Sequence, residues 1–154
     1  MKGETIEATR RLTFCAAHRL VGYKGLCRFL HGHNYEVLVT VRSDTAALPG
    51  AINSDDVECY LDVWLGDNWD HATILVTGDP LIASLSSANS GARRRGESAP
   101  AGRLFVMEAN PTAENMARHL LGIAREKFDG PGRWVHSVEV CETENGRATA
   151  RCEQ

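Results

Sequence analysis

Between residues 5 and 18 the apolar side chains fall on even positions. Ile6, Ala8, Leu12, Phe14 and Ala16 alternate with Thr5, Glu7, Thr9, Arg11 and Thr13, and Arg10 breaks the pattern. A period of two belongs to a strand with one buried face, so the spacing predicts a first strand over 5–18. His18 shares the parity of Phe14 and falls where this strand gives way to a loop, 19–30, carrying Arg19, Lys24 and Arg28. Alternation resumes over 31–41: Tyr35, Val37, Val39 and Val41 continue the parity of His31 and His33, and β-branched residues fit a pleated surface. A turn containing Pro49-Gly50 follows.

The period then changes. Val57, Tyr60, Leu61, Trp64 and Leu65 follow the stripe of a one-sided helix, with Ser54 as its expected N-cap and Asp55, Asp56 and Glu58 near its first turn, where the helix dipole favours anions. Residues 76–103 are rich in Gly, Ser, Ala and Arg and read as a surface insertion, with a helical turn at Pro80 to Leu85 and a mobile middle near 88–102. Leu104 to Met107 suits a short strand. A second helix is capped by Thr112 and buries Met116, Ala117, Leu120, Leu121, Ala124 and Phe128, ending at Gly130-Pro131-Gly132. A strand over 134–143 places His136, Val138, Val140 and Glu142 on one face. Asn145-Gly146 reads as a two-residue hairpin turn into a last strand, 147–153. The order ββααββ predicts an α+β fold: an antiparallel four-stranded sheet with two helices on one face.

A chain of 154 residues is expected to form a single domain. Its net charge of −3 argues against a general nucleic-acid binder. It does not exclude a local basic pocket: the cations of the 19–30 loop read either as a solvated rim or as a mouth that attracts phosphate, and Arg93–Arg95 as a solvated loop or a weak phosphate grip. No apolar run approaches a membrane span, and five cysteines without a CxxC pair suit a reducing cytoplasm.

The candidate chemistry clusters in Cys27-Arg-Phe-Leu-His31-Gly-His33-Asn-Tyr35. On a strand, residues i and i+2 point to one side, so His31 and His33 can present two imidazoles to one ion. His18 supplies a third. Three neutral imidazoles with an open fourth position form the ligand set of a catalytic zinc rather than a closed structural one; His-Gly-His alone also suits a surface turn. Asp70-His71 reads either as a turn with two solvated side chains or as an acid–base pair. Glu142 reads either as a solvated residue at a strand end or as a ligand-binding carboxylate.

Taken together, Phe14-x-Ala-Ala-His18, Cys27-x-x-x-His31-Gly-His33-Asn-Tyr, Asp70-His71, Asn110-Pro-Thr-Ala-Glu-Asn115 and Glu142-Thr143 resemble the 6-pyruvoyl-tetrahydropterin synthase superfamily. Within it, the Cys-x-x-x-His-Gly-His spacing is most similar to the 6-carboxy-tetrahydropterin synthases of the queuosine and 7-deazapurine route. Ser54, Asp55 and Cys15 stand where the family usually has an aspartate, an aromatic and a serine. The insertion is longer than in compact members.

The resemblance implies a tunnelling fold (T-fold), protomers joining their sheets into a barrel, commonly a trimer pair, with active sites at subunit interfaces. It also implies a zinc (Zn2+)-dependent lyase acting on the pterin triphosphate 7,8-dihydroneopterin triphosphate, with no nucleic-acid or membrane partner. His18, His31 and His33 would hold the metal. Cys27 would be the base, or alternatively a fourth ligand that closes the site. His71 would carry a second proton, oriented by Asp70 or another carboxylate. Glu142 would grip the guanidine-like pterin edge, with Thr143 and Thr112 assisting. Two other readings stay open: a pyruvoyl-type or pathway-specific relative, and a non-catalytic T-fold binder of a pterin or purine.

Overall fold

The computed structural model describes residues 5–44, 54–90 and 102–152, without the side chains of 54, 55 and 88–90. The expected Pro49-Gly50 turn and Arg93–Arg95 lie outside the described residues, as do the side chains of Ser54 and Asp55 on which the expected cap rests.

Two long strands, β1 (Thr5–His18) and β2 (His31–Asp44), pair antiparallel from Thr5↔Asp44 to His18↔His31. The expected alternation holds where it matters: Leu12, Phe14, Ala16 and His18 are buried from β1, and Tyr35, Val37, Val39 and Val41 from β2. Phe14 stacks on Tyr35 with centroids 4.8 Å apart, and Trp69 packs against Phe14 at 5.6 Å.

The helices α1 (Ser54–Asn68) and α3 (Ala113–Phe128) cover this apolar face, α1 over β1 and α3 over β5 (Arg133–Thr143) and β6 (Gly146–Arg151). Val57, Leu61 and Leu65 of α1 meet Met116, Ala117, Leu120, Ala124 and Phe128 of α3 in one core. Thr112 caps α3, its hydroxyl accepting from the Asn115 backbone N–H at 3.3 Å. Among the described residues no helix is long and apolar enough to cross a membrane.

The expected four-stranded antiparallel sheet is corrected. Among the described residues six strands lie in the order β4-β3-β1-β2-β5-β6, with β3 (Ala72–Val76) parallel to β1, and β4 (Arg103–Met107) parallel to β3. A third helix, α2 (Leu81–Ser90), extends the expected helical turn. β3 escapes pattern reading because it does not alternate: consecutive Ile74 and Leu75 are both fully buried. Burial on both faces is the habit of parallel strands, and over five residues it carries no period.

Two irregularities in β5 correct the rest. The register moves from Thr40↔Ser137 to Val41↔Val135, so His136 is the extra residue, and Val135 joins Val138 and Val140 in the core in its place. Between Cys141 and Thr143 the pairing with β6 also slips. Consequently Gly146 pairs with Thr143, and the turn is Glu144-Asn145, not Asn145-Gly146. Bulges of this kind re-aim side chains beside functional sites.

His119 of α3 is packed among aromatics, stacked on Trp69 at 5.6 Å and touching Trp64 and Phe105. Burial pushes its pKa below the ordinary histidine value. Its neutral form is therefore favoured by folding. Stability should fall as pH drops from about 6.5 towards the depressed value, because the unfolded chain takes up the proton first. Thermal melts of metal-free protein at pH 7.5 and 5.5 should show a smaller acid shift for H119F than for the natural sequence.

Candidate metal centre

The β1–β2 register brings three imidazoles to one end of the sheet. His18 lies opposite His31 and Ala16 opposite His33, so the rings share the core-side face. Ring centroids are 4.6 Å (His18–His31), 5.2 Å (His18–His33) and 4.8 Å (His31–His33) apart. The three ligating nitrogens lie within 4.8 Å of one another.

The hydrogen bonds around the rings decide which nitrogens face inward. His18 Nδ1 lies 2.7 Å from the Pro111 carbonyl and His31 Nδ1 2.7 Å from the Phe29 carbonyl. A carbonyl only accepts, so each Nδ1 carries the proton and each Nε2 of a neutral ring presents a lone pair. Those two Nε2 atoms are 3.1 Å apart. Two lone pairs at that distance repel unless a proton or a cation lies between them. His33 Nε2 is buried and has no hydrogen-bond partner, and burial pushes its pKa down, favouring the neutral ligand form. Carbonyls that orient the outer nitrogens are the usual second layer of an imidazole-bound metal. The residues thus fit a divalent ion of the zinc class.

Glu142 reaches this cluster from the slipped end of β5. Its Oε1 lies 3.1 Å from His18 Nε2 and 3.7 Å from His33 Nε2, so the carboxylate and the rings converge on the same point. Beside it the Tyr35 hydroxyl is buried without a partner, and burial, then the Glu142 and Cys27 charges, push its pKa up. Cys27 is half-buried in a short 3-10 turn, Leu26–Arg28, that the Leu20 N–H to Cys27 carbonyl bond (2.8 Å) draws against the end of β1. Its sulfur is not part of the three-histidine ligand group.

The surrounding loop differs from a free cationic mouth. Arg19 donates to both oxygens of buried Asp79, the Nε bond being 2.8 Å. Asp79 also accepts from the Leu81 N–H at 2.8 Å, which ties the loop to the start of α2. Arg28 donates to the Lys24 carbonyl at 2.6 Å and lies 4.4 Å over the Phe29 ring. Asn110 holds the loop with two 2.9 Å bonds to the Val21 backbone. The Asn110-Pro111-Thr112 run therefore clamps the loop, orients His18 and caps α3. The orienting carbonyls of Pro111 and Phe29 were invisible to sequence reasoning, because backbone atoms leave no signature there. Thr143 is exposed at the end of β5.

Asp70 and His71 are not brought to the triad within one chain. His71 Nδ1 lies 2.8 Å from Asp70 Oδ2, so Asp70 does orient it. Both, however, contact Cys15, whose odd position on β1 points it away from the face that His18 shares.

The profile of the family described as 6-pyruvoyl tetrahydropterin synthase matches residues 7–153. The chain belongs to this family. A Rickettsia typhi protein named 6-carboxy-5,6,7,8-tetrahydropterin synthase is 33% identical over 142 residues, spanning 91% of this chain and 96% of that one. A Rickettsia bellii protein of the same name is 30% identical over the same shares. Among solved structures, an uncharacterised Wolinella succinogenes protein superposes with a TM-score of 0.78 at 25% identity, covering 97% of this chain and 99% of that one. The Plasmodium vivax 6-pyruvoyltetrahydropterin synthase superposes at 0.69 with 19% identity, over 98% and 99%. The fold is the T-fold of these structures.

Two outcomes follow for this family member. Losing an outer-layer hydrogen bond at a metal site weakens binding about 10–100-fold, so if the three rings hold the ion, removing one candidate ligand, as in H31A, should weaken zinc binding by more than that, measured by competition with a chelator. D79N should cost about 2 kcal/mol at neutral pH, since it breaks a charged hydrogen bond. Asp79 is held below the usual carboxylate range by the Arg19 bond. That stabilisation is present above about pH 3.9 and disappears as pH falls through the depressed value, so the two proteins' denaturation midpoints should converge in strong acid.

Proposed function

We propose that the chain is a zinc-dependent carbon–carbon lyase converting 7,8-dihydroneopterin triphosphate to 6-carboxy-tetrahydropterin, with loss of acetaldehyde and triphosphate. The observation that carries this reading is the pair of facing Nε2 atoms, 3.1 Å apart, in a chain whose relatives bear that enzyme's name. In this reading His18, His31 and His33 hold the ion, which when bound supplies Lewis-acid polarisation of substrate side-chain oxygens.

The remaining work falls to side chains. Cys27 removes a proton from carbon, its thiolate being the active form. Glu142 leaves His18 and accepts two N–H bonds from the guanidine-like edge of the pterin, a bidentate match for a carboxylate. Thr143 and Thr112 assist at that edge, Thr112 through the backbone it fixes as the α3 cap. His71, oriented by Asp70, carries the second proton. Because a chain's own His71 lies away from its triad, the His71 serving a site comes from a neighbouring copy. This makes the working form a homo-oligomer, a trimer pair of T-fold barrels, with sites at the interfaces. Each chain is one T-fold domain, with the 76–103 insertion on its surface, acting in the cytoplasm in queuosine or another 7-deazapurine route.

The family description favours a second reading, in which the three-carbon side chain is retained as in a pyruvoyl-type enzyme. Incubating the zinc-loaded protein with 7,8-dihydroneopterin triphosphate and analysing products by mass spectrometry separates the two. Acetaldehyde and a carboxypterin are expected; a product keeping all three side-chain carbons would sink the first reading. C27A should lose about 10²–10⁴-fold in kcat, the usual worth of a positioned base, while keeping its metal content. Full activity in that variant would mean that another group is the base.

A further inference from the structure

Among the described residues one other set of side chains gathers metal-ligating atoms: Cys15 Sγ, an Asp70 oxygen and a His71 ring nitrogen, all within 4.8 Å of one another. We propose that Cys15, Asp70 and His71 form a second divalent-cation site, suited to zinc, on the side of β1 opposite the histidine triad.

The sheet topology builds it. β3 runs parallel to β1 with Ala72 beside Ala16, so the two residues before β3 land against Cys15. There the backbones lock together. The Cys15 N–H donates to Asp70 Oδ1 at 3.0 Å, and the His71 N–H donates to the Cys15 carbonyl at 2.7 Å. His71 holds a left-handed backbone, φ 56°, the one non-glycine among the described residues to do so. Such a conformation is costly for a residue with a Cβ and persists where its surroundings enforce it. In this conformation the imidazole lies against the Cys15 sulfur.

Sγ lies 3.6 Å from His71 Nε2, 3.7 Å from His71 Nδ1 and 3.7 Å from Asp70 Oδ1, and Nδ1 lies 2.8 Å from Asp70 Oδ2. A turn of the exposed ring brings one nitrogen lone pair to an ion shared by Sγ and the carboxylate. A tetrahedral zinc, with a Zn–S bond of about 2.3 Å and Zn–N or Zn–O bonds of about 2.0 Å, spans S···N and S···O edges of about 3.5 Å. Thiolate, imidazole and carboxylate together select zinc-like ions over calcium or magnesium, which prefer all-oxygen shells. Asp70 is already ionised at neutral pH, held below the usual range first by the Cys15 N–H. Binding displaces the thiol proton to solvent, and thiolate plus carboxylate then balance the dication. The cluster borders an open hollow of about 430 Å³ whose charged walls, Arg11 and Glu36, pair with each other. In the single chain His71 is largely exposed. If His71 carries a proton as proposed above, an ion here would withdraw it from that task, and zinc beyond one equivalent per chain would inhibit.

The test titrates metal-free, full-length protein with Co2+ or Zn2+ alone, following stoichiometry and the cobalt–thiolate charge-transfer band. Two equivalents per chain are expected, falling to one in C15S and, independently, in H71N. The band should vanish in C15S and persist in C27S. H18A should lose the other equivalent and keep the band. A single equivalent in the natural protein, or a second equivalent and band that survive in C15S, would overturn the proposal. Failure of the lyase reading shows elsewhere, as absence of the equivalent that H18A removes or absence of turnover.

Discussion

Two neutral imidazoles that face each other through Nε2 atoms 3.1 Å apart repel, and in this protein the sheet holds the two rings together. The His18↔His31 pairing is the last rung of a fourteen-residue ladder, so the register of the whole β1–β2 pair sets the two residues opposite each other. The Pro111 and Phe29 carbonyls fix the proton on the outer nitrogens, so tautomerism gives no escape. What relieves the repulsion is positive charge between the rings. The core of the fold and the chemistry of its end are thus one construction: the valines and aromatics that bury the β2 face set the parity on which the histidines point.

The elements around the triad mostly serve to hold that end in place. The loop between β1 and β2 is anchored three ways, by Arg19 to Asp79, by Asn110 to Val21 and by the Leu20–Cys27 backbone bond. The first two join it to distant parts of the chain, and the third closes the loop on itself. Arg19, which by sequence looked free to meet phosphate, is engaged by a buried carboxylate. Ion pairs of this sort fix position more than they add stability, and here the thing positioned is the turn that carries Cys27.

Glu142 and His71 show how a backbone irregularity moves a side chain. The slipped pairing beyond Cys141 frees Glu142 from the ladder and lets it lean onto His18 and His33. A left-handed residue after Asp70 turns His71 onto Cys15. Both carry functional roles in the proposed reaction, and they sit on opposite sides of the sheet, which is the physical ground for expecting neighbouring copies to share sites.

Much of this was legible in the residue order. Alternation gave β1 and β2, the 3.6-residue stripes gave α1 and α3, and the i, i+2 spacing of His31 and His33 placed two rings on one face, because all three are local periodicities that burial imposes on the chain. The parallel strand β3 was not legible: it is short, buried on both faces, and paired to a segment more than fifty residues away. Nor was the bulge that removes His136 from the core, since a one-residue slip depends on the partner strand. The meeting of Cys15 with Asp70 and His71 is of the same kind, fixed by a register between distant strands. The order of residues determined which side chains could act and on which face of their own element. Tertiary structure alone decided which of them meet, because contacts between elements follow from pairing and packing that no stretch of sequence contains by itself.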